Sequence, residues 1–170
     1  MKIYLAGPLG FSEAGRSFYK GEVLAALERL RHVAFDPWSD NDALGADPQL
    51  AADIKAAKDL PYGPAKRAAW QALNVRIGAK NCALIDACEL VFAILDGADV
   101  DSGTAAEIGY AFAKGKPILG YRGDFRLSAD NEGATVNLQV EYFIRASGGT
   151  IMTRLDELAR ELGRIASAAR

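Results

Sequence analysis

The amino-acid sequence predicts an α/β fold in which an open, mostly parallel sheet carries helices on both of its faces. Short apolar runs alternate along the chain with longer segments of helical periodicity, which is typical of this class. The clearest run, 90–95, is apolar throughout, as expected of a central strand covered on both faces. With 170 residues and 50% hydrophobic side chains, the chain is about one domain long, and we expect a single domain over 1–170.

Five short segments have the composition of strands, and turn-forming residues follow most of them. They are the segments 3–6, 33–35, 90–95, 117–121 and 150–152. In a parallel sheet of this kind, ligands bind beyond the carboxyl ends of the strands. We therefore expect a site to be assembled from Gly7-Pro8, Asp36-Pro37-Trp38, 96–104 and 122–131.

The first half of the chain contains two predicted helices and one long connection. Apolar residues at helical spacing predict a helix over 12–31, with Ser12 as its N-cap. The stretch 37–64 is too long for an ordinary connection, although 49–58 has weak helical character. A segment of this length is often a lid over a binding site.

A long helix over 66–87 is predicted by an apolar stripe whose members recur at helical spacing. The stripe consists of Trp70, Leu73, Ile77 and Leu84. Asn81 falls on the same stripe, so its amide is expected to face inward.

Three further helices are predicted in the second half. The segment 101–104 has capping residues for a helix that ends near Lys114. A second helix is expected over 136–145. Thr153 and Asp156 resemble a capping box at the start of the last helix.

Composition argues against several classes of protein. Lys and Arg total 20 and Asp and Glu total 22, so the formal net charge of -2 leaves no basic surplus for a nucleic-acid polymer or an anionic membrane. No apolar run approaches the roughly 20 residues of a membrane helix. Cys82 and Cys88 match no metal-binding spacing, and we expect reduced thiols in a cytoplasmic protein. The single histidine, His32, is expected at the surface, which leaves little material for a metal site.

Glu107 is the leading candidate for chemistry. It lies about one turn inside the helix that begins near Asp101, where the helix dipole and free amide donors favour an ionised carboxylate. An ionised glutamate beside an apolar pocket can act as a nucleophile. The same spacing is also typical of a solvated helix glutamate, Asp101 can equally be a helix cap, and Gly103 can simply permit a backbone turn.

Four motifs occur in an order that resembles a known family. They are Ile3-Tyr-Leu-Ala-Gly-Pro-Leu9, Asn81 followed by Asp86-Ala-Cys-Glu89, Asp101-Ser-Gly-Thr-Ala-Ala-Glu-Ile-Gly-Tyr-Ala111, and Asn137-Leu138. The third motif is the most specific of the four. Together they resemble the nucleoside 2-deoxyribosyltransferase family over most of the chain.

The resemblance implies a flavodoxin-like, doubly wound fold and a transfer of 2-deoxyribose between nucleobases in nucleoside salvage, without a cofactor or metal. Glu107 matches the catalytic nucleophile, which would form a glycosyl-glutamate ester that a second base opens with net retention. Asp101 matches an acid that helps to hold the sugar hydroxyls. Tyr4 matches a tyrosine whose hydroxyl steadies the nucleophile.

The resemblance also implies roles for three other residues. Asn81 stands where the family has Asp or Asn in contact with the base, and an amide can hydrogen-bond a base but cannot protonate it. Asn137 matches a residue that a neighbouring subunit contributes, which implies a homo-oligomer with shared active sites. Gln139 stands where relatives often have methionine, close to the base or sugar.

Several loop residues are expected near the substrate because they follow the predicted strands. Gly7, Ser102 and Gly103 are candidates for substrate binding. Trp38 and Phe11 can stack on a nucleobase, although core or lid packing explains them as well.

Two alternative functions remain open at this stage. An N-glycoside hydrolase would use the same intermediate with water as acceptor, and a nucleotide substrate would need donors such as Ser102, Arg122 or Arg126 for its phosphate. For both arginines, surface salt bridges are an equally good interpretation. A third possibility is a nucleoside-sensing module, whose carboxylates would only orient the ligand.

Overall fold

A five-stranded, all-parallel sheet forms the centre of the protein. The computed structural model describes residues 1–38 and 47–168, so part of the stretch expected to be a lid lies outside the described residues. The strands are β1 (Lys2–Ala6), β2 (Val33–Phe35), β3 (Leu90–Ile94), β4 (Ile118–Tyr121) and β5 (Ile151–Met152). Their spatial order is β2-β1-β3-β4-β5, which is the flavodoxin-like order. The predicted doubly wound fold is therefore confirmed.

Seven α-helices connect and cover the strands in the described part of the chain. They are α1 (Glu13–Phe18), α2 (Ala25–Arg29), α3 (Pro48–Asp59), α4 (Pro64–Ala87), α5 (Ser102–Ala113), α6 (Leu138–Ala146) and α7 (Leu158–Ala168). A π-helical segment, Tyr19–Leu24, joins α1 to α2, so the predicted helix over 12–31 is present with an irregular middle. Ser12 caps it as expected, since its hydroxyl accepts from the Gly15 N–H at 3.0 Å.

The start of the last helix differs from the prediction by one residue. Thr153 and Asp156 do not form the capping box. The Glu157 carboxylate instead accepts a hydrogen bond from the Arg154 N–H at 3.1 Å. A 3₁₀ turn over Leu155–Glu157 precedes α7, and this turn moves the capping pair along the chain.

Two apolar layers bury the two faces of the sheet. Because side chains alternate along a strand, Tyr4 and Ala6 of β1 pack with residues of α4, α5 and α6, whereas Ile3 and Leu5 pack with the helical segment 13–29 and α7. All five residues of β3 are buried, as the apolar run predicts for a central strand.

A separate small core holds α3 against the first half of α4. Leu50, Ala57 and Leu73 are its buried members, and Trp70 and Ile77 pack against it. The second half of α4 reaches the main core through Leu84 and Ile85. Helix α4 therefore links the sheet to a helical hairpin that extends beyond it. No helix in the described ranges is long and apolar enough to cross a membrane.

Candidate active site

Three elements bring their side chains together at Glu107. The Tyr4 hydroxyl, from β1, donates to Glu107 Oε1 at 2.7 Å. The Asn81 side-chain amide, from α4, donates to the same oxygen at 3.1 Å. Within the described residues, Glu107 Oε2 has no hydrogen-bond donor. The carboxylate is thus held through one oxygen, while the other is left for a ligand.

The surroundings of Glu107 control its ionisation. Burial raises the pKa of this carboxyl, and the nearby Asp101 charge raises it further, whereas the hydrogen bonds from Tyr4 and Asn81 lower it. The pKa of Tyr4 is itself raised far above its usual value by burial and by the Glu107 charge. Tyr4 therefore remains a protonated donor, and it stabilises the ionised form of a carboxylate that burial disfavours.

A cavity of about 590 Å³ opens in front of Glu107. Its volume lies within the range of small-molecule sites. The residues that line it come from the ends of β1 and β2, from α3 and α4, and from the start of α5. They are Gly7, Phe11, Pro37, Trp38, Lys58, Trp70, Asn74, Ile77, Asn81, Asp101, Gly103, Thr104 and Glu107. Tyr4 is not among them, because it lies fully buried behind Glu107.

Trp38 is fixed as one wall of this cavity. Its indole N–H donates to the Gly7 carbonyl at 3.2 Å. Phe11 packs edge-on against it, with 4.6 Å between the ring centroids. A Cβ on Gly10 would lie 2.0 Å from the Trp38 ring, so this glycine is needed for the close approach of ring and backbone.

Asp101 combines the two roles considered from its sequence. It caps α5, because its Oδ2 accepts from the Thr104 N–H at 3.0 Å and from the Thr104 hydroxyl at 3.2 Å. It also lines the cavity beside Glu107. Gly103 has no positive φ, which argues against a special backbone turn. A Cβ there would lie only 3.1 Å from Asp101 Oδ2, so Gly103 keeps this carboxylate unobstructed.

Three expected substrate-binding residues do not line the cavity of their own chain. Ser102 is exposed outside it. Asn137 caps α6, where its Oδ1 accepts from the Gln139 N–H at 3.0 Å, and its amide donates to Asp130 at 3.3 Å. Gln139 is exposed on the first turn of α6. A role for Asn137 and Gln139 in a neighbouring subunit's site stays a prediction.

The two arginines considered for a phosphate are engaged elsewhere. Arg122 is only 2% exposed, and its guanidinium donates to the carbonyls of Leu95 at 2.5 Å, Gly97 at 3.2 Å and Arg126 at 2.6 Å. It satisfies carbonyls of the loops after β3 and β4 that would otherwise lack partners. The Arg126 side chain is paired with Asp124. The interpretation of Arg122 as a surface or phosphate-binding residue was therefore wrong.

Three further residues line the cavity that were not predicted as site residues: Lys58, Asn74, and Trp70, which was expected only as part of the apolar stripe of α4. One face of α4 lines the cavity, because its lining residues are separated by four, three and four positions along the helix. These residues are Trp70, Asn74, Ile77 and Asn81. Helical spacing alone does not separate a face that packs in a core from one that lines a cavity. No group of acidic, histidine or cysteine side chains in the described ranges could hold a metal ion.

The fold and the site define a flavodoxin-like α/β protein whose cavity lies beyond the carboxyl ends of the neighbouring strands β1 and β3, the position at which such sheets bind ligands. The sequence profile of the nucleoside 2-deoxyribosyltransferase family matches residues 3–139. The chain belongs to this family of glycosyl-transferring enzymes that act on nucleosides.

Solved structures support the same fold. A 2-deoxyribosyltransferase from Bacillus psychrosaccharolyticus shares 19% identity with a TM-score of 0.62, covering 94% of this chain and 90% of its own. The enzyme from Leishmania mexicana shares 26% identity with a TM-score of 0.53, covering 82% and 84%. The CMP N-glycosidase BcmB from Clostridium botulinum shares 17% identity with a TM-score of 0.53, covering 97% and 99%. No curated protein sequence shows a significant match.

Proposed function

We propose that this protein is a nucleoside 2-deoxyribosyltransferase that moves 2-deoxyribose from one nucleobase to another through a covalent bond to Glu107. The observation that carries the proposal is the state of this carboxylate. One of its oxygens is held by Tyr4 and Asn81, and the other has no donor in the described part of the chain, at the wall of a nucleoside-sized cavity.

The chemistry follows from this arrangement. Glu107 Oε2 attacks the anomeric carbon C1′, the bond from C1′ to the base nitrogen breaks, and the sugar remains attached as a glutamyl ester. A second base then attacks C1′ from the side that the first base left, and the carboxylate departs. Two inversions give net retention, and side chains alone carry out the transfer.

The other residues of the site bind and orient the substrate. Tyr4 and Asn81 fix the rotamer of the nucleophile, which brings the reacting atoms into line. Asp101 lies beside Glu107 and is suited to accept hydrogen bonds from the sugar hydroxyls, with Gly7 and Gly103 allowing a close approach. Trp38, Phe11 and Trp70 provide flat apolar surfaces for a nucleobase.

We further propose the substrates, the cellular location and the oligomeric state of the enzyme. Its partners are small nucleosides and nucleobases, and it acts in nucleoside salvage in the cytoplasm. We expect a homo-oligomer in which Asn137 and Gln139 reach a neighbouring site, because neither lines the cavity of its own chain. Ser102 would contact the substrate only at the edge of the site.

A hydrolase is the second candidate, because its mechanism shares the same intermediate and the fold is shared with a CMP N-glycosidase. Two observations count against a nucleotide substrate. Arg122 is buried against backbone carbonyls, and Arg126 is paired with Asp124, so neither is free for a 5′-phosphate. The third candidate is a binding module. A binding function alone does not require a carboxylate that two donors hold through one oxygen.

Chromatography of reaction mixtures tests the proposal. The protein is incubated with 2′-deoxyinosine, with and without adenine, and free base, free deoxyribose and new 2′-deoxyadenosine are quantified. We expect 2′-deoxyadenosine, and we expect Glu107→Ala to abolish it while the circular dichroism spectrum is unchanged. Release of free deoxyribose regardless of adenine would establish a hydrolase, and binding without any turnover would establish the sensing module.

A further inference from the structure

The cavity is chemically different at its two ends. Glu107 and Asp101 stand at the end formed by α5. Lys58, from the last turn of α3, is the one cationic side chain that lines the cavity among the described residues. Between these ends, the polar side chains that α4 supplies are the amides of Asn74 and Asn81, which carry no charge.

The position of Lys58 follows from the α3–α4 hairpin. The Lys66 ammonium, near the start of α4, donates to the Lys58 carbonyl at 2.7 Å, so the end of α3 lies beside the start of α4. At 1.5 Å per residue, Trp70 lies about 16 Å along the α4 axis from Asn81, the residue that contacts Glu107. Lys58 lines the cavity together with Trp70. The Lys58 backbone therefore lies toward the end farther from Glu107, and its side chain enters the cavity from that end.

The Lys58 ammonium is not used by the fold. Within the described ranges it forms no ion pair or hydrogen bond, and only its backbone carbonyl is engaged. Among the other cations of the two helices, Arg76 is paired with Asp53 and Lys66 with backbone carbonyls. Lys55, Arg67 and Lys80 do not line the cavity. Lys58 is exposed as well as lining the cavity, and an unpaired ammonium at the edge of such a cavity is suited to a ligand that carries or develops negative charge.

The leaving base develops such a charge. When Glu107 bonds to C1′, the electron pair of the broken bond stays on the base nitrogen. Asn81, the side chain in direct contact with Glu107, cannot protonate that nitrogen. The negative charge is delocalised onto a ring carbonyl where the base has one, and a carbonyl oxygen accepts from an ammonium or an amide N–H. An oxo-base carries such an oxygen at purine position 6 or pyrimidine position 4, whereas the amino group that adenine and cytosine carry at that position offers these donors no acceptor.

We propose that the site selects 2′-deoxynucleosides of oxo-bases, with a 6-oxopurine or 4-oxopyrimidine ring, over those of amino-bases, and that Lys58 is the residue that determines this preference. The inference rests on the proposed transferase function. The base leaves as an anion paired with Lys58 and takes one proton from solvent before release. The acceptor base gives up one proton to solvent as its nitrogen bonds to C1′ and Glu107 is freed.

Steady-state kinetics with paired donors test this specificity. Wild type, Lys58→Gln and the matched control Lys55→Gln, an exposed lysine on the same helix outside the cavity, are assayed with four donors. The donors are 2′-deoxyinosine, 2′-deoxyuridine, 2′-deoxyadenosine and 2′-deoxycytidine. We expect Lys58→Gln to lower kcat/KM about tenfold for the two oxo-base donors, as for loss of one charged hydrogen bond, and to change the amino-base donors little. Lys55→Gln should match wild type.

A second comparison separates leaving-group stabilisation from a structural role. 5-Fluoro-2′-deoxyuridine has a more acidic base than 2′-deoxyuridine, so the anion of its base is more stable without Lys58. The decrease in kcat/KM caused by Lys58→Gln should therefore be smaller for this donor. Equal losses for all donors, or equal losses in the Lys55→Gln control, would overturn the proposal. The 5′-monophosphate of 2′-deoxyuridine is assayed as a further donor, and a loss confined to this donor would overturn the proposal and make Lys58 a phosphate-binding residue.

A failure of the transferase function is distinguishable from a failure of this inference. If wild type exchanges no base, calorimetry with hypoxanthine and adenine still measures selectivity. Tighter binding of hypoxanthine that Lys58→Gln removes would support the inference. Equal binding of both bases by wild type and variant would overturn it.

Discussion

At the scale of single residues, the site depends on a balance around one carboxylate. Burial and the Asp101 charge disfavour ionised Glu107, and hydrogen bonds from Tyr4 and Asn81 favour it. A nucleophile must be ionised to react, and a carboxylate stripped of water is also more reactive than a hydrated one. The fold therefore keeps the charge in a place where water stabilises it less.

Removal of the Tyr4 hydroxyl should shift the pH dependence of the reaction. Tyr4→Phe takes away a donor at 2.7 Å from Glu107 Oε1, so the pKa of Glu107 should rise further. Because the protonated acid is inactive, activity falls as the pH decreases through this pKa. We expect the acid limb of kcat/KM to move about one pH unit upward. Tyr110→Phe, which removes a hydroxyl that contacts Asp86 away from the cavity, is the control and should leave the limb in place.

The raised pKa of Glu107 predicts that its ionised form lowers the free energy of unfolding. Its folded pKa lies above the unfolded value, so the native state loses stability as the pH rises from the unfolded pKa through the folded pKa. Glu107→Gln keeps the shape and an acceptor for Tyr4 but does not titrate. In urea titrations at pH 8, the free energy of unfolding of the inactive variant should therefore be about 1 kcal/mol higher than that of wild type. The difference should be smaller at pH 5. The exposed Glu132→Gln is the control, and a less stable Glu107→Gln at pH 8 would contradict this account.

At the scale of elements, the sequence predicts strands and helices well because their patterns are local. The run 90–95 contains β3, and the stripe through Trp70 and Ile77 lies on α4 as expected. What local patterns do not contain is the partner of a side chain distant in sequence. Arg122 was expected at the surface because most arginines are exposed. In the structure it is buried, and its guanidinium donates to the carbonyl of Leu95, 27 residues earlier in the chain.

In the candidate site too, the residues in sequence motifs were predicted, whereas a residue placed only by tertiary packing was not. Glu107, Tyr4, Asn81 and Asp101 were identified through motifs, and the structure brings all four together. Lys58 was missed, because it reaches the cavity only through the packing of α3 on α4. Tertiary packing of the α3–α4 hairpin, which has no strong sequence signal of its own, decides this part of the site.

The contact between the turn after β1 and Trp38 should be sensitive to one methyl group. A Cβ on Gly10 would lie 2.0 Å from the Trp38 ring, so Gly10→Ala should push the indole out of the cavity wall. Overpacking of this kind costs about 1–3 kcal/mol. We expect KM for the nucleoside to rise roughly tenfold and tryptophan fluorescence to change. Gly21→Ala is the matched control, because nothing lies within 4 Å of its Cβ; an unchanged KM in Gly10→Ala would show that Trp38 is not part of the binding surface.

At the scale of the whole molecule, the region around α6 has the features of an interface. Phe125 and Leu127, on the loop before α6, are 94% and 75% exposed, and Tyr142 of α6 is 57% exposed. The Tyr142 ring contacts Phe112 and Phe143, which stack on each other with 4.7 Å between ring centroids and so hold α6 against α5. Exposed aromatic side chains on a rigid helix are typical of protein–protein contacts. Asn137 stands at the start of the same helix, so a contact between subunits through this surface would bring it toward a neighbouring site.

Shared active sites predict recovery of activity when two inactive variants are mixed. In a hybrid of Glu107→Ala and Asn137→Ser protomers, one site combines an intact Glu107 with an intact Asn137 from the other chain. Serine can still cap α6, so the second variant should fold normally. Random reassembly of equal amounts should restore about a quarter of wild-type exchange, since half of the dimeric units are hybrids and each has one intact site. The control mixes Glu107→Ala with Glu107→Gln, which cannot form an intact site. If native mass spectrometry shows hybrids and activity still does not return, Asn137 does not act across an interface, and each chain must complete its site by itself.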